Sequence, residues 1–217
     1  MTGGPLLIAH RAGNDPAGVA PAVAAGADVI EIDVHMTGGR LEVRHPRRAG
    51  PILWDRAGVA WAARRRLPRL EEVLERMPPG STPMLDLKQG PARLAPAALA
   101  ACRDRGFAEV TVASRRWELV DALRDAEGVR VVHSAAGARE LARLLRRPGD
   151  LRPRVVCARR DLLGEEPVRA IRAHAGTVMT WPVDDAGDAA RLAAWGVGGL
   201  ICDDLGLIAR LAARRRR

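Results

Sequence analysis

Eight short apolar runs, each followed by an Ala/Leu/Arg-rich segment with helical spacing, constrain this chain more than any other feature. The strand candidates are Leu6–His10, Val29–Val34, Pro83–Leu87, Glu109–Ala113, Val129–His133, Arg154–Cys157, Thr177–Thr180 and Gly199–Cys202. Helical candidates lie near 16–25, 68–76, 92–105, 116–126, 136–146, 165–174, 186–194 and 204–213. Strict alternation of strand and helix calls for a parallel sheet with helices outside. Eight such units in 217 residues fit a single, compact (β/α)8 TIM barrel over residues 1–213. The remaining "RRRR" at 214–217 reads as a basic, solvated, disordered tail. Gly38-Gly39 reads as a tight turn leading into a short extra strand near Leu41–Arg44. The rival architecture, an open doubly wound sheet, usually carries a glycine-rich phosphate loop after its first strand. "HRAGNDPAG" has neither GxGxxG nor GK[ST], which argues against it.

Composition narrows the function. Apolar residues make up 47% of the chain, as in a globular protein, and no apolar stretch approaches the ~20 residues of a membrane helix. "MTGGPLLIAH" lacks the basic and long apolar regions of a signal peptide, so a cytoplasmic location is expected. Cys102, Cys157 and Cys202 are odd in number and widely spaced, which fits buried free thiols rather than disulfides or a zinc knuckle. The formal net charge is +9, almost all of it arginine, and Lys88 is the only lysine. The arginines are scattered and there is one Phe and no Tyr, so stacking platforms are scarce and no nucleic-acid partner is expected.

Polar residues gather where such a barrel keeps its chemistry, at the C-terminal ends of the strands. The first strand ends in His10 and Arg11. The second carries Glu31 and Asp33, the third Asp86 and Lys88. The extra strand ends in His45, and the last two run into Trp181 and Asp203. Residues i and i+2 share a side, so Glu31 pairs with Asp33, and Asp86 with Lys88. Three converging carboxylates repel one another unless a cation sits among them, and all-oxygen ligands suit Mg²⁺ or Ca²⁺. Taken singly, Glu31 could pair with an arginine, and His10 could be a satisfied strand-end histidine. His35 reads as that kind of histidine, facing away from Glu31 unless the strand bends, or reaching solvent; two positions past Asp33, it could instead point into the site.

"AHRAG", "GADVIEIDVHMTGGRLEVRH", "LPRLEEVLERM", "PMLDLK", "VTVAS" and the closing "TVMTWPVDDAGDAARLAAWGVGGLICDD" follow one another in order. Together they resemble the glycerophosphodiester phosphodiesterase family over nearly the whole chain, as a divergent, compact member. The resemblance implies a barrel that hydrolyses small phosphodiesters with one divalent cation, Mg²⁺ or Ca²⁺. It implies His10 and His45 as the acid/base pair and Glu31, Asp33 and Asp86 as metal ligands. Arg11 and Lys88 would contact phosphate, and Trp181 would line the substrate pocket.

The sequence departs from the family pattern in several places. Ala12 replaces a Gly, the segment between His10 and Glu31 is about six residues shorter and lacks a Pro-Glu-Asn-Thr loop, and Pro46 follows His45 in place of Asp. Asn14 and Asp15 stand where that loop would be. Asp86 replaces a Glu, and the insertion after the second strand is reduced to residues 46–67, which predicts a more open pocket. Two imidazoles, with unperturbed pKa near ~6.5, suit proton transfer near neutral pH. The alternative reading is a catalytically inactive barrel that binds a phosphorylated ligand. The partner in either case is a small phosphorylated molecule, and the sequence leaves the oligomeric state open.

Overall fold

In a computed structural model, which describes residues 4–55, 58–64 and 66–216, the alternation resolves into a closed barrel. In chain order the elements are β1 (Leu6–Ala9), α1 (Val19–Ala24), β2 (Val29–Thr37), β3 (Arg40–Val43), β4 (Arg47–Ala49), β5 (Ile52–Asp55), β6 (Gly58–Trp61), α2 (Leu70–Leu74), β7 (Thr82–Leu87) and α3 (Leu94–Arg103). They continue with β8 (Val110–Ser114), α4 (Trp117–Asp121), β9 (Val129–Ala135), α5 (Ala138–Leu145), β10 (Val155–Arg159), α6 (Glu165–Ala175), β11 (Thr177–Trp181), α7 (Ala186–Ala194), β12 (Gly199–Cys202) and α8 (Leu205–Arg215). Strands β1, β2, β7, β8, β9, β10, β11 and β12 pair in parallel around the ring, and β1 closes on both β2 and β12. Each expected strand and helix is present, with ends displaced by a few residues.

Why these sequences build a wall is visible in its two faces. One residue or more from each barrel strand (Ile8, Val29, Met84, Ala113, Val132, Val155, Cys157, Met179 and Ile201) fills the lumen as one apolar cluster. The alternate residues, such as Leu7, Ile30, Leu85 and Val112, belong to the larger core between wall and helices. A strand buried on both faces has to read as a continuous apolar run. That is why most of the runs read as apolar through the wall. All three cysteines are buried free thiols, as expected.

Three glycines are tied to specific geometry. The β2–β3 hairpin closes with Thr37 opposite Arg40, and the two residues between, Gly38 and Gly39, both have positive φ (57° and 82°). That is the two-residue turn whose twist matches the flanking strands. Gly13 lets the segment after β1 lie directly on β2, because a Cβ there would stand 2.4 Å from Ile32 Cγ1 and 3.2 Å from the Glu31 carbonyl.

Two features differ from the sequence expectation. Within the reduced insertion, where the sequence indicates no strands, β4, β5 and β6 form a separate three-stranded antiparallel sheet. The basic tail is not wholly disordered either. Helix α8 runs through Arg214 and Arg215, and Arg215 Nη2 donates to Asp28 Oδ2 at 2.7 Å. Arg217 lies outside the described residues.

Gly13→Ala is expected to destabilise the fold by roughly 1–3 kcal/mol, because Ile32 is fully buried and cannot give way. Urea denaturation checks this; an unchanged midpoint would mean the first loop does not rest on β2.

Candidate active site

The period of two along each strand carries the lumen pattern upward into chemistry. Two residues beyond Ile8 stands His10, beyond Val29 stands Glu31, and beyond Met84 stands Asp86. Trp181 follows Met179, and Asp203 follows Ile201, by the same step. The register confirms that these positions share a rim: Asp33 lies opposite Asp86 across β2 and β7, and Ala9 lies opposite both Ile30 and Cys202. Each of Glu31, Asp33 and Asp86 offers an oxygen within 4.8 Å of the others.

Such a cluster is electrostatically expensive. Two like charges about 4.8 Å apart repel by about 3 kcal/mol at an effective dielectric of about 20. The fold answers with Lys88, whose Nζ lies 2.8 Å from Asp33 Oδ1 and also contacts Asp86. The three carboxylates hold the Lys88 pKa well above its ordinary value although burial alone would lower it. Arg11 adds its Nε at 3.6 Å from Asp33 Oδ2.

Asp33 is fully buried, and burial alone would raise its pKa. Lys88, the Asn14 amide and Arg11 outweigh that and hold it low. Glu31 goes the other way: burial first, then repulsion from Asp33 and Asp86, pushes its pKa well above the ordinary range. Burial and Asp33 also raise Asp86, against the pull of Lys88.

The first loop holds the carboxylates in place. Arg11 adopts a left-handed backbone (φ 53°, ψ 13°), which directs its N–H to Glu31 Oε2 at 2.6 Å. Asn14 clasps Asp33 twice: its amide Nδ2 donates to Oδ2 at 2.7 Å, and its Oδ1 accepts the Asp33 N–H at 2.8 Å. Asp15 instead caps the following turn through the Ala17 N–H.

The two rim histidines are reached by different routes. His10 Nδ1 lies 2.8 Å from Asp203 Oδ1. Burial is the largest influence on its pKa and takes it below 6.5, although Asp203 pulls upward. His45 follows β3 in a bend and is half-buried. Its backbone is fixed on both sides by Arg44, whose N–H donates to the Asp33 carbonyl at 3.1 Å and whose buried guanidinium donates to the Pro46 carbonyl. Trp181 is half-buried and packs against the lumen cluster. Ser114, at the end of β8, is buried and donates to the Leu87 carbonyl at 2.6 Å, so it braces the wall beside Lys88.

The structure decides between the readings of His35. Positions 31, 33 and 35 share one side of β2, and His35 is 1% exposed rather than solvent-facing. Burial, followed by Arg44, pushes its pKa down to about 3. Neither ring nitrogen makes a hydrogen bond among the described residues. The sequence offers Asn14 only as a partial stand-in for the missing loop and gives Asp203 no role beyond its place at a strand end. The only signals were the position of Asp203 at the end of the eighth strand and of Asn14 in the shortened loop.

The donor set suits a hard cation. Three carboxylates face two positive charges, Glu31 is driven toward its neutral form, and the buried Asp33 Oδ1 is close to Lys88 without accepting a well-aligned hydrogen bond. A divalent ion bound by these oxygens would relieve all three conditions.

The sequence matches no family model and no curated protein. Solved structures do match. A phosphodiesterase from Oleispira antarctica, in complex with the product sn-glycerol-3-phosphate, aligns over 97% of this chain and 97% of its own, at 16% identity and TM-score 0.76. A glycerophosphodiester phosphodiesterase from Thermotoga maritima aligns over 95% and 98%, at 18% identity and TM-score 0.75. Another, from Parabacteroides distasonis, aligns over 100% of both chains, at 18% identity and TM-score 0.75. The chain has their fold. Among the described residues, no helix is long and apolar enough to cross a membrane.

The His10 imidazole is expected to titrate below 6.5 by NMR, and Asp203→Asn to move it lower still, since Asp203 is what raises it. The folded state then holds that proton less tightly than the unfolded chain, so stability falls as pH drops from about 6.5 through the folded pKa. An upward shift in Asp203→Asn would show that Asp203 does not contact His10.

Proposed function

We propose that this barrel is a metal-dependent phosphodiester hydrolase acting on glycerophosphodiesters or closely related small diesters, releasing a phosphomonoester and an alcohol. One observation carries the reading. A three-carboxylate cluster, a His–Asp pair and the turn bearing His45 meet at one rim of a barrel whose fold is shared with glycerophosphodiester phosphodiesterases.

Glu31, Asp33 and Asp86 would hold one divalent cation, Mg²⁺ or Ca²⁺, held rigid by Asn14 and the Arg11 N–H. A cation bound there withdraws charge from a phosphoryl oxygen and helps orient the nucleophile. Arg11, with 40% of its side chain exposed, can turn its guanidinium fork to the remaining phosphate oxygens, and Lys88 supplies a second positive charge.

Cleavage needs two proton movements. One leaves the attacking hydroxyl, whether that belongs to the substrate or to water. The other reaches the leaving alkoxide as its P–O bond breaks. The Asp203 contact favours a proton on His10 Nδ1, which leaves Nε2 to exchange a proton with the substrate. His45, presented by the Arg44-clamped turn, serves as the second imidazole. Trp181 offers an apolar wall to the alcohol portion.

In a screen of glycerophosphodiesters with Mg²⁺, Ca²⁺ and Mn²⁺, turnover is expected to vanish with chelator and to fall with Glu31→Gln through loss of ion binding. His10→Ala and His45→Ala should each lower kcat by ~10²–10⁴ at unchanged Tm. His174→Ala, in α6 and away from the rim, should change nothing. A protein that binds phosphomonoesters but cleaves no diester under any of the three ions would instead be the inactive ligand-binding barrel.

A further inference from the structure

The small sheet beside the site turns an apolar face to solvent. Its register pairs Ile52 with Trp61 and Trp54 with Val59, and sets Arg47 opposite Trp54. Alternation therefore puts Arg47, Ile52, Trp54, Val59 and Trp61 on one face and Leu53 on the other. Leu53 is 1% exposed, so its face is the covered one. On the opposite face Val59 is 76%, Trp61 54% and Ile52 39% exposed. Only five large apolar side chains are exposed among the described residues, and three of them are here. So are two of the five tryptophans of the chain.

Charge and position accompany this face. The segment 46–67 contains six arginines and a single acid, Asp55. Arg47 and Arg64 are exposed. The sheet starts two residues after His45 and is tied to the rim: Arg48 Nη1 donates to Glu42 Oε1 at 2.8 Å, and Gln89, next to Lys88, reaches the Arg48 carbonyl. Whatever covers this face stands beside the mouth of the barrel.

We infer that this face docks on an anionic lipid bilayer. Strands of three or four residues, at about 3.3 Å per residue and about 4.8 Å between strands, give a face of roughly 150–200 Å². A stable protein interface needs about 800 Å² per partner, so a second copy of this chain is a poor occupant. A bilayer sets no such requirement. Tryptophan prefers the boundary between headgroups and acyl chains, an aliphatic centre inserts shallowly, and flanking arginines meet lipid phosphates. Docked in this way, the barrel mouth lies against the headgroup layer. The further consequence, that diesters in that layer are substrates, rests on the phosphodiesterase reading.

The test is co-sedimentation of the full chain with vesicles of phosphatidylcholine and phosphatidylglycerol, against vesicles of phosphatidylcholine alone. Partition is expected to be at least about 10-fold stronger on the anionic vesicles and to weaken with salt. Val59→Ser with Trp61→Ser should reduce it by about 10-fold or more at unchanged Tm, since both side chains are exposed. No partition on anionic vesicles, or partition undiminished in the double variant, overturns the inference. So does a parent dimer in sedimentation velocity that the double variant dissociates, because a second copy would then cover the face. Turnover of a water-soluble glycerophosphodiester without vesicles separates the two readings. If the parent cleaves none yet binds anionic vesicles through Val59 and Trp61, docking stands and the phosphodiesterase reading fails.

Discussion

Lys88 among three carboxylates is the contact on which the rest of the site depends. Surface ion pairs contribute about 0–1 kcal/mol and can be gained or lost without consequence. Here the partners are buried or half-buried, and Glu31, Asp33 and Asp86 cannot share so small a space as three anions. One ammonium leaves the cluster short of positive charge, and the strain appears in Glu31, which is pushed toward its protonated form. The mouth of the barrel is therefore built to gain from one more cation. If a divalent ion is held here, as the proposed function has it, proton and ion would compete for the same oxygens, and ion affinity is expected to rise with pH as Glu31 is released.

The barrel wall makes such a cluster affordable. Its strands are apolar on both faces through most of their length, and the two hydrophobic clusters they separate hold the backbone rigid. The charged residues of the site stand above this apolar floor, where the lumen opens. The same alternation that fills the lumen with Ile8, Val29 and Met84 therefore sets His10, Glu31 and Asp86 over it. The apolar floor excludes water from below and raises the influence of each charge above it. Cys157, in that floor, has its thiol pushed far up by burial and by Asp86 and Glu31, so it stays protonated and inert.

This logic explains what the sequence did and did not disclose. Strand positions and the carboxylate cluster were readable because both follow from local periodicity. For His35 the sequence leaves open whether it faces away from or into the site; periodicity places it with Glu31 and Asp33, and the extension of β2 beyond the barrel into the β3 hairpin buries it there. The bond between His10 and Asp203 joins residues 193 positions apart, and only barrel closure through β1 and β12 brings them together. The sheet of β4, β5 and β6 was invisible for another reason. Its strands are only three or four residues long, and one of its faces is exposed, so they lack the buried-strand signature that marks the barrel.

The short loop after β1 shows how little chain is needed to organise this site. Four successive tasks fall to residues 11–14. Arg11 turns left-handed, at a steric cost of about 1–2 kcal/mol, and in doing so presents its N–H to Glu31. Ala12 opens a short turn, and Gly13 lets that turn touch β2, where any side chain would meet Ile32. Asn14 then closes on Asp33 through both side-chain and backbone groups. A longer loop could reach the same carboxylates from outside, but a short one must lie flat on the strand. Gly13 is what makes lying flat possible. The strained Arg11 and the clasp of Asn14 are thus linked consequences of one close approach of the loop to β2.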